Sequence, residues 1–220
     1  MMNLLLEDWL AWSADEMDFV LDRDHDLIRR QGPEPPVPAM LRRRLDATGR
    51  AVSDVLTLLD PEQTFPIVHA SRHGDVKSSL AMLQALAASE PLSPAKFSMS
   101  VHNAVLGVHS IARNNTRSMQ ALAACGEELD AMLLEAAGYL LEGHEAVLAI
   151  FSDGAMPDAF QAQGVGSSGA SCVGLRLSRR HGRQLKAEAT GERAEPTPLD
   201  VARWLARGGE LQARQRWSLA

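Results

Sequence analysis

Apolar residues recur along this chain with two different periods, and the switches between them mark its elements. Residues 4–30 read as helical, with Trp9, Leu10, Phe19, Val20 and Leu27 supplying apolar faces at irregular spacing. The run GPEPPVP (32–38) ends that pattern, because proline cannot continue a helix. A second helix is expected from Pro38 to Leu59, where Leu41, Leu45, Val52, Val55, Leu56 and Leu59 fit three-to-four spacing. FPIVHAS (65–71) reads as a buried strand that closes in the turn Ser71-Arg72-His73-Gly74. Helical spacing returns over 75–89 and again over 101–112, separated by the proline-bearing loop Glu90–Pro94. After the break RNNTR (113–117), residues 118–124 read as a strand, though their alanines also suit a helix. A long helix is expected over 126–142, ending at Gly143.

AVLAIFSD (146–153) is the clearest buried strand, and SCVGLRLSR (171–179) is another beyond a polar loop, 154–169. Residues 180–197 are charged and turn-rich. A short helix over 199–208 follows, and 211–219 alternates like an edge strand. Alternating strands and helices predict an α/β fold with a mainly parallel sheet and packed helices. No internal repeat is visible, and one domain spanning 1–220 is expected.

Composition narrows the function classes. Hydrophobic residues make up 45% and charged residues 23%, which excludes a disordered chain. The net charge of −6 gives no support to a broad electrostatic grip on nucleic acid, and 5% aromatic content argues against base-stacking platforms. Cys125 and Cys172 are too few for a disulfide framework or a four-cysteine zinc site. The start MMNLLLEDWLAW lacks a basic segment and is broken by Glu7 and Asp8, unlike a signal peptide. No apolar run approaches the roughly 20 residues of a membrane span. The expectation is a soluble, cytoplasmic protein.

Candidate chemistry is sparse. GVGSSG (164–169) matches G-x-G-x-x-G but lies far beyond the preceding strand and runs into another strand, so no dinucleotide cofactor is expected. His69 and His73 have a spacing that holds metal on a helix, but they fall on a strand end and turn, so no metal is expected either. His102 and His109 share one predicted helix and read as structural. Arg42, Arg43 and Arg44 sit at a helix start, where cations are unfavourable; they are either a solvated face or a grip for an acidic partner. Cys125 stands before the long helix, where the N-terminal dipole would favour a thiolate; it is either an acyl-accepting nucleophile or a small packed thiol.

MLRRRL (40–45), HASRHGD (69–75), EPLSPAKFSMSVHNAVLGVHSIA (90–112), LLEAAGYLLEG (133–143) and AVLAIFSDGAM (146–156) together carry a specific resemblance. They are similar to the β-ketoacyl synthase-like N-terminal family. Its members are described as chain-length-factor-like proteins of aryl polyene and xanthomonadin-type pigment pathways. The resemblance covers about residues 35–160 and leaves 161–220 as a family-specific ending. It implies a thiolase-like half-fold.

It also implies that a nucleophilic cysteine would stand between a strand and the long helix. Matching the alanines of Ala123-Ala124-Cys125-Gly126-Glu127 puts Cys125 there; counting back from Gly143 puts Gly126 there. Glu127 and Glu128 would oppose a thiolate. The paired active-site histidines of condensing enzymes come from their C-terminal half, and 180–220 shows no matching motif. The resemblance therefore implies a degenerate, non-catalytic subunit that partners an active β-ketoacyl synthase, touches an acyl carrier protein, and forms a hetero- or homodimer through the surface near 118–126. The alternatives are an acyltransferase or condensing enzyme using Cys125, and a scaffold protein.

Overall fold

The computed structural model describes residues 4–14, 37–161 and 169–220. One eight-stranded sheet runs through these segments: β1 (Leu4–Ser13), β2 (Ile67–Ala70), β3 (Met119–Leu122), β4 (Ala146–Asp153), β5 (Ser171–Ser178), β6 (Arg183–Ala189), β7 (Glu210–Gln212) and β8 (Gln215–Leu219). Their spatial order is β3-β2-β4-β5-β1-β6-β8-β7. The described helices are α1 (Ala39–Arg42), α2 (Ala47–Leu59), α3 (Val76–Ala87), α4 (Pro94–Met99), α5 (Ala104–Arg113), α6 (Glu128–Leu141), α7 (Asp158–Gln161) and α8 (Pro198–Arg207).

The α/β expectation holds, but the sheet is mixed rather than mainly parallel. Only β3-β2 and β2-β4 pair in parallel; every other pairing is antiparallel. The physical reason lies in the connections. Helices α3 to α5 carry the chain from β2 to β3, and α6 carries it over β2 to β4, as parallel crossovers require. From β4 onward the neighbours in space return antiparallel.

Both faces of the sheet are covered. On one, α6 and α8 pack Leu129, Met132, Leu133, Val201 and Leu205 against Val68, Phe151, Val173 and Leu175. On the other, Val52, Val55, Leu56 and Leu59 of α2 and Leu106 of α5 pack against Ile67, Leu148 and Ile150. A Cβ at Gly174 would lie 2.5 Å from Val55 Cγ1, so this glycine lets α2 settle directly onto β5.

Several expectations are corrected. The helix expected over 4–30 is a strand where it is described, β1 over 4–13; residues 15–30 lie outside the described segments. The expected helix 38–59 divides into α1 and α2, because the Asp46 carboxylate caps a new start by accepting from Gly49 N at 2.7 Å. His102 precedes α5, so it does not share a helix with His109. The charged stretch 180–197 contains a strand, β6, and 211–219 folds as the hairpin β7-β8. The GVGSSG motif falls, but for Gly169, outside the described residues. No helix among the described residues is long and apolar enough to cross a membrane.

Candidate functional site

Three parallel strands end side by side, at Leu122, Ala70 and Asp153, and the chemistry-bearing side chains collect beyond these carboxyl ends. That is where α/β sheets place ligand sites. The turn from β3 into α6 comes first. Cys125 is exposed and adopts φ +51°, and Gly126 follows at φ +103°. A left-handed, non-glycine residue on a strand-to-helix turn is uncommon and is the backbone form in which nucleophile turns project a side chain. Cys172, by contrast, is buried in β5, and burial pushes its thiol up to about 12, so it is inert.

Beneath the turn lies the Glu128 carboxylate, whose side chain has no exposed surface. It accepts from Ala124 N at 3.1 Å and from Gly126 N at 3.0 Å, and Arg72 Nε donates to it at 3.2 Å. Burial alone would raise its pKa, but these N–H donors and the Arg72 charge outweigh burial and hold it below its ordinary value. Arg72 also donates through Nη1 to Glu195 at 2.9 Å, and a Cβ on Gly126 would meet the Glu195 side chain at 2.7 Å. Asp153 accepts from Arg72 N at 2.9 Å and from the Ser71 hydroxyl at 3.2 Å. Its burial outweighs those donors and raises its pKa.

This geometry changes one element of the sequence argument. Glu127 and Glu128 are not free anions beside Cys125. Glu127 is paired with Arg214 at 2.8 Å and Arg193 at 3.5 Å, and Glu128 turns inward to Arg72. Glu128 instead takes up the Ala124 and Gly126 N–H groups from below and ties the turn to Arg72.

A small cavity opens between the ends of β2 and β4 and the starts of α2, α3 and α5. His69 and Ser152 share a 2.8 Å hydrogen bond on its floor, and His102, Thr48, Ser71, Asp46 and Asp75 line it. Burial, then the neighbouring His102, lower the His69 pKa to about 4.

The remaining residues singled out from the sequence are placed as follows. His69 and His73 are not part of a metal cluster; none exists among the described residues. His109 is buried on α5 and shares a 2.8 Å hydrogen bond with the Ser53 hydroxyl, which makes it structural. Arg42 grips Asp54 with two bonds of 2.7 and 2.8 Å and braces α1 on α2; Arg43 and Arg44 are exposed. Arg72, Glu128, Asp153 and Glu195 were not legible as a group. The available signal was that Arg72 and Asp153 each fall at the end of a predicted buried strand.

The match to a protein-family model, beta-ketoacyl synthase, N-terminal domain, spans residues 9–215. No curated protein matches significantly by sequence. Among solved structures, the fold is similar over 100% of this chain and 100% of the other to a ketosynthase (ApeO) in complex with its chain length factor (ApeC) from Xenorhabdus doucetiae, at 25% identity and a TM-score of 0.79. It is similar to the ishigamide ketosynthase/chain length factor over 81% of this chain and 62% of that one, at 12% identity and a TM-score of 0.57. A beta-ketoacyl synthase from Burkholderia phymatum matches over 81% and 59%, at 12% identity and a TM-score of 0.55. The eight-stranded sheet with its packed helices is thus a thiolase-like half-fold, and the chain belongs to the beta-ketoacyl synthase N-terminal domain family.

Proposed function

We propose that this chain, folded as one domain, is a non-catalytic, chain-length-factor-like subunit that pairs with an active ketosynthase in polyene-type acyl chain synthesis. The observation that carries this reading is the Glu128 carboxylate, which takes up the Ala124 and Gly126 N–H groups at the strand-to-helix turn that the family resemblance marks for a nucleophile. The full-length similarity to a ketosynthase–chain length factor complex supports the partner. So does the surface: α3 and α4 have no fully buried residue and expose Leu83, Leu86 and Phe97, apolar area that a second subunit would cover. An acyl carrier protein and a cytoplasmic setting belong to the same reading.

The test is co-expression with an active ketosynthase of the polyene type. Co-sedimentation as one complex, with condensation depending on the ketosynthase cysteine and unaffected by Cys125→Ala, is the expected outcome. Two separate species would overturn it.

The exposed, left-handed Cys125 favours a second reading, acyl transfer through its thiol. Intact mass after incubation with acyl carrier thioesters separates the two. An acyl adduct lost in Cys125→Ala would establish the second.

A further inference from the structure

Three polar atoms with no hydrogen-bond partner belong to residues that line the same cavity: His69 Nδ1, His102 Nε2 and Thr48 Oγ1. His69 is 3% exposed and Thr48 7%. Buried polar groups are almost always paired, so three around one hollow call for a guest. The hollow measures about 50 Å³. A water needs roughly 10–15 Å³ of such space, so it holds a group of a few non-hydrogen atoms.

The lining selects the chemistry of that guest. Arg44 is the one arginine or lysine on the lining, and an anion there also meets two carboxylates, Asp46 and Asp75, whose oxygens already accept from Gly49 N and Ser78 N. A metal ion finds no set of three suitable side chains among the described residues. An apolar group leaves all three polar atoms unpaired, at a cost for each. Burial keeps the His69 ring neutral, so it offers a hydrogen bond rather than a charge. Its other nitrogen is held by Ser152, which fixes the ring orientation.

We propose that this cavity is a binding site for a small uncharged oxygen function, a carbonyl or hydroxyl, gripped by His69, His102 and Thr48. The guest is a free small molecule or the oxygen-bearing end of a longer one. The site is separate from the Cys125 turn and stands whether or not the chain partners a ketosynthase.

The test is a titration of the full chain, followed by the imidazole nitrogen resonances of His69 and His102. The probes are acetamide, N-hexylacetamide, sodium acetate, zinc chloride and cyclopentane. Saturable shifts at both rings with acetamide or N-hexylacetamide, and none with the other three, are expected. Tighter binding of N-hexylacetamide identifies a chain end, and acetamide alone identifies a small molecule. Thr48→Val removes one hydrogen bond and is expected to weaken the amide about three- to tenfold. Gly154→Ala places a methyl 3.9 Å from Thr48 Oγ1 without a clash and is expected to weaken it as well, so the proposal does not rest on one variant. Absence of any saturable shift, preference for acetate, zinc or cyclopentane, or unchanged affinity in both variants would overturn it.

Discussion

Among the described residues, two imidazoles are buried almost completely, and both hold on to neutrality. His69 on β2 and His109 on α5 are 3% and 2% exposed, and burial lowers each pKa from 6.5 to about 4. Arg113 adds to the shift at His109, while Asp60 opposes it. The unfolded chain therefore binds protons at these positions before the folded one does. Their stabilisation is complete above pH 6.5 and is lost as the pH falls toward 4. At pH 5 each costs about 2 kcal/mol relative to pH 8. Asp153 and Asp130, whose pKa values are raised chiefly by burial, act oppositely as the pH falls. Urea unfolding at pH 8 and pH 5 should show this loss, and His109→Gln should remove about half of it; an unchanged pH dependence in the variant would refute the assignment.

Glu128 makes a sharper case at the same scale. Glu128→Ala strands two backbone N–H groups and leaves Arg72, whose side chain is 14% exposed, with only Glu195. A loss of about 3 kcal/mol is expected, and a smaller one for Glu128→Gln, which retains an acceptor. Equal losses would mean that the charge, rather than the acceptor, holds the turn.

At the level of elements, Gly174 separates close packing from mere tolerance. Gly174→Ala drives a methyl into Val55 and Leu59 and should cost about 1–3 kcal/mol. Gly107→Ala on α5, with nothing within 4 Å, should stabilise by about 0.5–1 kcal/mol. Thermal unfolding of the two variants checks the pair, and the same sign for both would contradict the packing described. These glycines also show what sequence conveys. The periods of α2, α5 and α6 and the apolar runs of β2, β4 and β5 were legible because each buries one face or both. The strand β1 was not. A bulge between Leu6 and Asp8 flips its parity, so Leu4, Leu6 and Ala11 enter one core while Leu10 enters the other. Without even alternation, LLLEDWLAW resembles a helix. The strand β6 was hidden for the opposite reason: of its residues only Leu185 is buried. The Cys125 turn could be found locally, between strand and helix signals. The Arg72–Glu128–Asp153 group could not, because it forms only when β2, β4 and α6 meet.

For the molecule as a whole, the two ends of the sheet are built differently. At one end β7 is three residues long and carries Glu210 and Gln212, a short polar edge of the kind that discourages further pairing. At the other end stands β3, adjoining the Cys125 turn. Its pairing with β2 fixes which backbone groups remain available. Ile67 N donates to Ser118 O, and Ser71 N to Leu122 O. In a parallel ladder the bonded residues alternate, so Ser118, Gln120 and Leu122 face β2 while Met119 and Ala121 turn their backbone groups outward. The proposed ketosynthase partner would pair there, extending the sheet across the interface. Ala121→Pro deletes an outward N–H and leaves the bonds to β2 in place. The variant should fold, with an unfolding midpoint within a few degrees of the parent, and should bind the ketosynthase at least about tenfold more weakly, a difference of about 1.4 kcal/mol. Gln120→Ala alters an exposed side chain but no outward backbone donor, so its binding should match the parent's. Sedimentation of the co-expressed pair reads both. Normal association of Ala121→Pro would remove β3 from the interface and turn attention to the exposed Leu83, Leu86 and Phe97 on α3 and α4.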